Sequence, residues 1–468
     1  MGKTEDKSLL EAVEAAKAGA AREKIASLFD AGSFMEIDTL RTDANCAAGF
    51  GTVHGRPVYC FAQDHASNGG AMTASQCRKI VKLLEMARMN GGPVVAMIDS
   101  AGVKVTEGAS ALPHYAEIFA KMTRLSGVCP MITVVVGECR GVAAMFTQVS
   151  DVSIQVKGGL VALHPASVMN SRKGVTLNEE ALFGAGTMAA QGAVSLCAAS
   201  AEEAMELTAK VLDILPGCNA EDAPLSDGDD LNRVLAGCDA DNVKDLAAQM
   251  ADGGLLTELN AEYGVRAHTW LCSVGGHSTG LVATDHAVEN GRLDAASCAK
   301  IARFIRMCDC FSLPVITLVN TDGLEVPEIK AQSWLMRSGA QMLYAYAEAT
   351  CPKLCVITGS AIGAAYVAMG GKAIADVVYA WENAVIAPVT PEVAAAAFED
   401  ERLTAGEDRK ALEDEYRRSV SARRAAEEGL VDDVIDPAET RKVLIAAMEF
   451  LSSKRDVNLP RKHGNLPL

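Results

Sequence analysis

Residues Gly70–Gly102 read GAMTASQCRKIVKLLEMARMNGGPVVAMIDSAG, and residues Gly291–Gly323 read GRLDAASCAKIARFIRMCDCFSLPVITLVNTDG. The two stretches align without a gap. Gly70 and Gly291, Cys77 and Cys298, Lys79 and Lys300, Ile80 and Ile301, Met86 and Met307, Pro93 and Pro314, and Gly102 and Gly323 are identical pairs. To within one residue, the register carries into a second block. Pro130-Met-Ile-Thr-Val-Val-Val-Gly137…Gly141-Val142-Ala143 pairs with Pro352-Lys-Leu-Cys-Val-Ile-Thr-Gly359…Gly363-Ala364-Ala365. Each block runs proline, strand, glycine turn, with Gly141 and Gly363 equally far beyond their prolines. The chain therefore carries one unit twice.

Periodicity predicts what that unit is. Thr73 or Ser75 can cap a helix, and Cys77, Ile80, Leu84 and Ala87 recur at helical spacing. Gly91-Gly92-Pro93 ends it. Val94–Ile98 is a short apolar run of the kind buried on both faces of a parallel sheet. In the second copy Asp294 is the expected cap, and Cys298, Ile301, Ile305 and Cys308 form the stripe. Pro314 then breaks the helix before the strand Val315–Val319. Helices and strands alternating across short glycine-bearing connections are an α/β signature, with right-handed crossovers.

Outward from the repeat, Ala21–Asp38 reads as a short helix, a glycine turn and a strand, and Phe50–Ala62 as a hairpin. Ala199–Gly264 is acidic, with Pro216-Gly217 and Asp227-Gly-Asp-Asp230 as turns, and is read as the linker. The expected domains are 1–255 and 256–468. After Ala397 a charged stretch predicts exposed helices, with Glu413 and Arg417 as an i,i+4 pair on a solvated face.

Composition sets outer limits. A chain of 468 residues holds about two to three domains. No run of roughly 18 apolar residues occurs, so no membrane span is expected. The N-terminal MGKTEDKSLLEAVEAAKAG is charged and lacks the apolar core of a signal peptide, which points to a cytoplasmic protein. A net charge of −17 opposes a nucleic-acid partner, because phosphate backbones need a basic face. The 14 cysteines include no CxxC pair and the 8 histidines no HExxH, so no metal site is expected. Buried thiols acting as small hydrophobes are the better reading.

The chain has no GxSxG and no Walker A, and Gly275-Gly-His-Ser-Thr-Gly280 lacks the lysine of a P-loop. What remains are four strand-to-glycine turns: Asp99-Ser-Ala-Gly102, Gly137-Glu-Cys-Arg-Gly-Val-Ala143, Thr321-Asp-Gly323 and Gly359-Ser-Ala-Ile-Gly-Ala-Ala365. Such turns can present backbone N–H groups to a developing oxyanion, and small residues let a substrate approach the main chain. Any one of them can also be no more than a tight connection. The matched pair in register favours two oxyanion sites.

These turns lie within a longer resemblance. Ala21-Arg-Glu-Lys-Ile…Leu28-Phe-Asp-Ala-Gly-Ser-Phe34, Gly49-Phe-Gly51, Gln63-Asp64 and Asp99-Ser-Ala-Gly102…Glu107-Gly108 carry its first half. Lys300…Arg303-Phe…Arg306…Cys308-Asp309, Ala345-Tyr-Ala-Glu-Ala-Thr350, Gly363-Ala-Ala-Tyr366…Met369, Ala380-Trp381 and Gly429-Leu-Val-Asp-Asp-Val-Ile-Asp-Pro437 carry its second. The chain resembles the carboxyltransferase subunits of biotin-dependent acyl-CoA carboxylases and decarboxylases, of the propionyl-CoA carboxylase β and methylmalonyl-CoA decarboxylase α type. The resemblance runs from about residue 21 to the end.

It implies two tandem crotonase-like domains, the first on the acyl-CoA side and the second on the biotin side. It also implies a homohexamer, a dimer of trimers. The cofactor is biotin on a separate carrier protein, and a coenzyme A thioester is the substrate. Further partners are a biotin carboxylase or membrane decarboxylase subunits. In the implied mechanism carboxybiotin loses CO2, the biotin enolate takes the α-proton, and the thioester enolate attacks CO2. Gly141 and Val142 then occupy the thioester oxyanion turn and Gly363 and Ala364 the biotin ureido turn. Gly102, Lys104, Ala143, Gly323, Ala365 and Tyr366 are the implied cofactor-binding residues.

Several positions depart from the family pattern. Val142 stands where the family has a second glycine, and a β-branched residue narrows the approach and disfavours positive φ. Arg140 is unusual beside it. Gly359-Ser360, Ala101-Gly-Val-Lys104 and Asp322-Gly-Leu-Glu-Val-Pro327 also differ. Two alternatives therefore stay open: a biotin-independent crotonase-like CoA-enolate enzyme, and a non-catalytic scaffold subunit beside an active paralogue.

Overall fold

The computed structural model describes residues 19–174 and 176–467; most of the charged N-terminal stretch read above lies outside them. The chain forms two compact units, Met1–Asp222 and Ala223–Leu468. The expected linker is thus no separate element. Its helix Ala201–Ile214 belongs to the first unit, and residues 223–255 go with the second, where Leu235, Val243, Leu246 and Met250 enter the core.

The duplication is visible strand by strand. The first unit contains β1 (Met35–Glu36), β2 (Cys46–Val53), β3 (Arg56–Gln63), β4 (Val94–Ser100), β5 (Met131–Arg140), β6 (Val152–Val156), β7 (Leu160–Ala162) and β8 (Leu196–Ala198). They lie in the order β1-β2-β3-β4-β5-β6-β8, with β7 beside β5. The second contains β9 (Leu256–Glu258), β10 (Ala267–Val274), β11 (His277–Thr284), β12 (Val315–Thr321), β13 (Lys353–Ile362), β14 (Val377–Trp381), β15 (Val385–Ala387) and β16 (Asp433–Ile435). Their order is β9-β10-β11-β12-β13-β14-β16, with β15 beside β13. In both, a leading antiparallel hairpin continues into parallel strands.

Local chemistry explains the elements. Thr73 caps the helix Ala74–Asn90, its Oγ1 accepting the Gln76 N–H (3.1 Å), and Gly91 ends it at φ 70°. Asp294 caps Ala295–Cys310 by accepting the Ser297 N–H (2.7 Å). Every residue of β4 and β12 is buried, as strands covered on both faces require. Gly275-Gly276 is a hairpin turn; its two N–H groups donate to Asp252 (2.9 and 2.7 Å), which the buried Arg441 also holds. In the charged C-terminal stretch Glu413 pairs with Arg409 (2.9 Å), while Arg417 turns to Glu392 (3.5 Å). That differs from the expected Glu413–Arg417 pair, because Arg417 finds a carboxylate on the neighbouring helix Pro391–Phe398.

One irregularity positions the rest. Along β4 the pairing advances from Ile98 to Ser100 while along β5 it advances from Val135 to Cys139. Likewise Val319 to Thr321 on β12 meets Ile357 to Ala361 on β13. The bulge strands one backbone N–H in each copy, and the side chain at the end of the preceding strand accepts it. Glu138 N–H donates to Asp99 Oδ1 (3.1 Å), and Ser360 N–H to Asn320 Oδ1 (2.9 Å). Beyond the bulge β5 leaves β6 and pairs with β7, and β13 leaves β14 for β15. Gly137 and Gly359 are required there, because a Cβ at either would fall inside the Asp99 carboxylate or the Asn320 amide.

Gly137→Ala and Gly359→Ala should therefore each lower stability by about 3 kcal/mol or more. Gly158→Ala, with open space around it but φ +86°, should lose only about 1–2 kcal/mol. Equal thermal melting shifts for all three would refute the bulge argument.

Most of the cysteines are buried, with Cys197 exposed and Cys218, Cys238 and Cys310 half-buried, and desolvation pushes the Cys46, Cys272, Cys298 and Cys355 thiols up to about 12. At neutral pH both folded and unfolded chains keep these protons. As pH rises through the ordinary thiol value of 9.0, the unfolded chain releases them while the fold retains them. Stability should then fall by about 1.4 kcal/mol per pH unit per buried thiol until the folded value is reached. Lys300, lowered by burial to about 8, and Lys353, also lowered by burial, act in the opposite sense, but two amines do not offset this set. Under reducing conditions the urea midpoint should drop between about pH 8.5 and about 10.5. A Cys46→Ala/Cys272→Ala/Cys355→Ala chain should drop less steeply, and an identical slope would contradict the account.

Candidate active site

At the end of β5, Gly141 turns the chain with φ 62°, and a 3-10 turn Gly141–Met145 leads into the helix Phe146–Val149. Phe146 locks the far side of this turn among Phe119, Phe61 and Tyr115, at ring-centroid distances of 5.0, 6.3 and 6.5 Å. The opening N–H groups of such a turn have no carbonyl ahead of them within it, the property an oxyanion donor needs. Val142 is half-buried against the first core. Among the described residues positive φ outside glycine does not include Val142 or Ala364. The left-handed conformation falls on Gly141 alone, so the β-branched replacement is unstrained.

The loop after β4 closes on this turn. Gly102 has φ 103°, and a Cβ on it would lie 2.9 Å from the Arg140 carbonyl oxygen. Its N–H donates to Ser100 Oγ (3.1 Å) and its carbonyl accepts from Met72 N–H (2.9 Å). Lys104 follows on the same loop, half-exposed, with its Nζ 3.9 Å from Glu107. An ion pair so long and so exposed contributes little, which leaves the ammonium free to meet an anion. Gly102 thus lies against the strand end that leads into Gly141, Val142 and Ala143, and Lys104 stands two residues further along the same loop.

The second unit repeats the geometry with other side chains. Gly363 has φ 56°, and Gly323, at φ 100°, would place a Cβ 3.1 Å from the Ile362 carbonyl oxygen. Gly323 N–H donates to Thr321 Oγ1 (3.0 Å), matching Gly102 on Ser100. Gly363 N–H is taken by the Ala387 carbonyl (2.9 Å), so the donor at this turn falls to the exposed Ala364. Ala365 is buried, and the chain then widens into a π-type segment, Tyr366–Gly370. Tyr366 directs its hydroxyl to the Leu430 carbonyl (3.0 Å). Beside the turn lies a mostly apolar cavity of about 350 Å³ lined by Pro388, Val389, Ala394, Ala395, Phe398 and Tyr416, with the Glu399 carboxylate as its one charged wall. A Cβ on Gly363 would sit 3.1 Å from the Pro388 carbonyl oxygen, so turn and cavity adjoin.

Sequence reasoning passed over the side chains that hold the first turn. Asp99 is bound by Lys24 Nζ (2.9 Å) and His65 Nδ1 (3.0 Å) as well as by the bulge N–H. Arg140 is gripped by Glu138 and Glu179. The available signal for Asp99 was a carboxylate ending a wholly apolar strand. Glu179 offered none, since its distance from Arg140 in sequence carries no periodicity.

The carboxyl transferase domain family matches residues 15–466. The methylmalonyl-CoA decarboxylase subunit alpha of Veillonella parvula is 35% identical, over 96% of this chain and 93% of that protein. The methylmalonyl-CoA carboxyltransferase 12S subunit of Propionibacterium freudenreichii subsp. shermanii is 33% identical, over 96% and 91%. Among solved structures, the transcarboxylase 12S hexamer with methylmalonyl-coenzyme A and methylmalonic acid bound superposes with a TM-score of 0.93. It is 30% identical and covers 100% of this chain and 99% of that one. The expected α/β architecture of two tandem crotonase-like domains holds. With the match spanning both units, the chain belongs to the carboxyl transferase domain family.

Proposed function

We propose that the chain is the carboxyltransferase subunit of a biotin-dependent acyl-CoA carboxylase or decarboxylase. It would move a carboxyl group between carboxybiotin on a separate carrier protein and the α-carbon of a short acyl-CoA, of the propionyl/methylmalonyl type. The observation that carries this is the pair of matched turns, each with a left-handed glycine and a second glycine loop against its carbonyl. The names of the relatives, and the methylmalonyl-CoA bound to the 12S structure, support the substrate class.

In the first unit the opening N–H groups at Gly141 and Val142 would hold the thioester oxygen as negative charge develops on it. Such preorganised donors cost no reorganisation during reaction. Gly102 keeps the neighbouring loop close, and Lys104 offers a cation to the phosphates of coenzyme A. In the second unit the Ala364 N–H would hold the ureido oxygen, with Gly323, Ala365 and Tyr366 around it. The adjoining, mostly apolar cavity, which also carries Glu399, is of a size suited to a small ring. Bound carboxybiotin would supply CO2 and accept the α-proton. Because Val142 keeps an ordinary φ, the departure from glycine removes no donor, which favours an active subunit over a scaffold. Run backwards, the same groups serve decarboxylation.

The carrier protein, with a biotin carboxylase or membrane decarboxylase subunits, would complete the complex. No helix among the described residues is long and apolar enough to cross a membrane. A homohexamer would cover the apolar side chains exposed just after β12: Val326, Ile329, Trp334 and Met336.

Deuterium incorporation at the α-carbon of propionyl-CoA, with biotinylated carrier added or omitted, tests the assignment. Carrier-dependent exchange is expected. Exchange without carrier would move the reading to a biotin-independent enolate enzyme, and none under either condition to a scaffold. The assembly is tested separately: Ile329→Glu/Trp334→Glu should elute as a smaller species than the native chain, and an unchanged mass would place the interface elsewhere.

A further inference from the structure

Arg140 is the residue immediately before the pivot at Gly141, and its surroundings have no counterpart in the second copy. Its Nη1 and Nη2 donate to Glu179 Oε1 and Oε2 at 2.9 and 2.7 Å, two parallel bonds to one carboxylate. Nη2 also reaches Glu138 Oε1 (3.1 Å), and Nε lies 3.0 Å from Glu138 Oε2. Glu179 begins the helix Glu179–Phe183, capped by Asn178, whose Oδ1 accepts the Ala181 N–H (2.7 Å). That helix is tied to β6, since Gln155 Nε2 donates to the Phe183 carbonyl (3.0 Å). In the second copy the matching residue is Ile362, buried with Val385 and Ala387 and covered by the half-buried Tyr416 and Val420, and Ser360 stands in place of Glu138.

We infer that Arg140 is a positioning residue for the first turn, clamped by Glu138 and Glu179 so that the N–H groups following Gly141 keep one direction. The inference rests on the reading of this turn as the thioester-oxygen donor. A residue at φ 62° with open space around it gives the chain freedom to swing. The direction of the next N–H groups is then set by what fixes residue 140 on one side and Phe146 on the other. A planar guanidinium held by two carboxylates supplies the first in a way an ammonium cannot. The cation also offsets the charge of Glu138, which would otherwise sit bare beside a forming oxyanion. The same task is done by apolar packing at Ile362.

The test compares Arg140→Met, Arg140→Lys, Glu179→Gln and the Arg140→Met/Glu179→Gln pair in the assembled complex. Amide exchange over residues 138–149 should speed up by about fivefold or more in Arg140→Met and in Glu179→Gln. The pair should add little to Arg140→Met alone, and residues 360–370 should be unchanged. For carboxyl transfer, kcat should fall by about tenfold with the acyl-CoA KM within about twofold, and Arg140→Lys should not restore it. Unchanged exchange in both single variants would overturn the inference. So would a raised KM at constant kcat, which would make Arg140 a substrate contact. If Arg140→Met fails to fold, Glu179→Gln, on a side chain 41% exposed, decides alone. A native complex without carrier-dependent transfer would refute the proposed function, while the exchange rates would still decide the clamp.

Discussion

In each unit a single side-chain oxygen accepts the N–H that a bulge has cut off from its ladder: Asp99 for Glu138, Asn320 for Ser360. A buried N–H without a partner costs about 1–3 kcal/mol, so without this acceptor the bulged register would be disfavoured against a regular one. The bulge is what turns β5 from β6 towards β7 and β13 from β14 towards β15. The direction of the last strand residues sets where Gly141 and Gly363 pivot, and with them the N–H groups that follow. The invariance of the bulge between the copies explains why Gly137 and Gly359 match in sequence although neither is a donor.

Around that shared skeleton the copies have diverged in charge. In the first, Lys79 meets Glu36 (2.8 Å) and the Cys46 carbonyl (3.0 Å), with Arg22 on the same carboxylate (2.8 Å). In the second, Lys300 keeps the carbonyl contact, now to Ala267 (2.8 Å), but Glu258 is taken by His268 (2.6 Å). Burial lowers the proton affinity of Lys300. The turns diverge likewise: an ion-paired arginine and a 3-10 turn in one, an apolar isoleucine and a π-type segment in the other. A thioester and a ureido group have different shapes, and two copies of one frame with different linings suit the proposed carboxyl transfer between them.

Much of this was legible without coordinates. The gapless repeat, the caps at Thr73 and Asp294, and the glycines at 102, 141, 323 and 363 are local features. Each depends on residues a few positions apart, where period and turn chemistry act directly. The family resemblance extended that reading to substrate class and cofactor, and the relatives bear it out. Less legible was the stretch from 199 to 264, whose acidity suggested a linker. Val243, Leu246 and Met250 do stand at helical spacing, but that this stripe and Leu235 enter the second core is decided only when the helix folds onto the second sheet.

The sequence by itself determined the duplication, legible as a gapless repeat, and with it the α/β class and the positions of the paired glycine turns, which are written in short-range periodicity and in glycine's unique tolerance of positive φ. Tertiary structure decided which groups at those turns are available and how firmly they are held. It assigned the Gly363 N–H to Ala387, put the left-handed strain on Gly141 in place of Val142, and brought Glu179 to Arg140. Those outcomes depend on strands and helices that meet only after the sheets form, and no spacing along the chain encodes such a meeting.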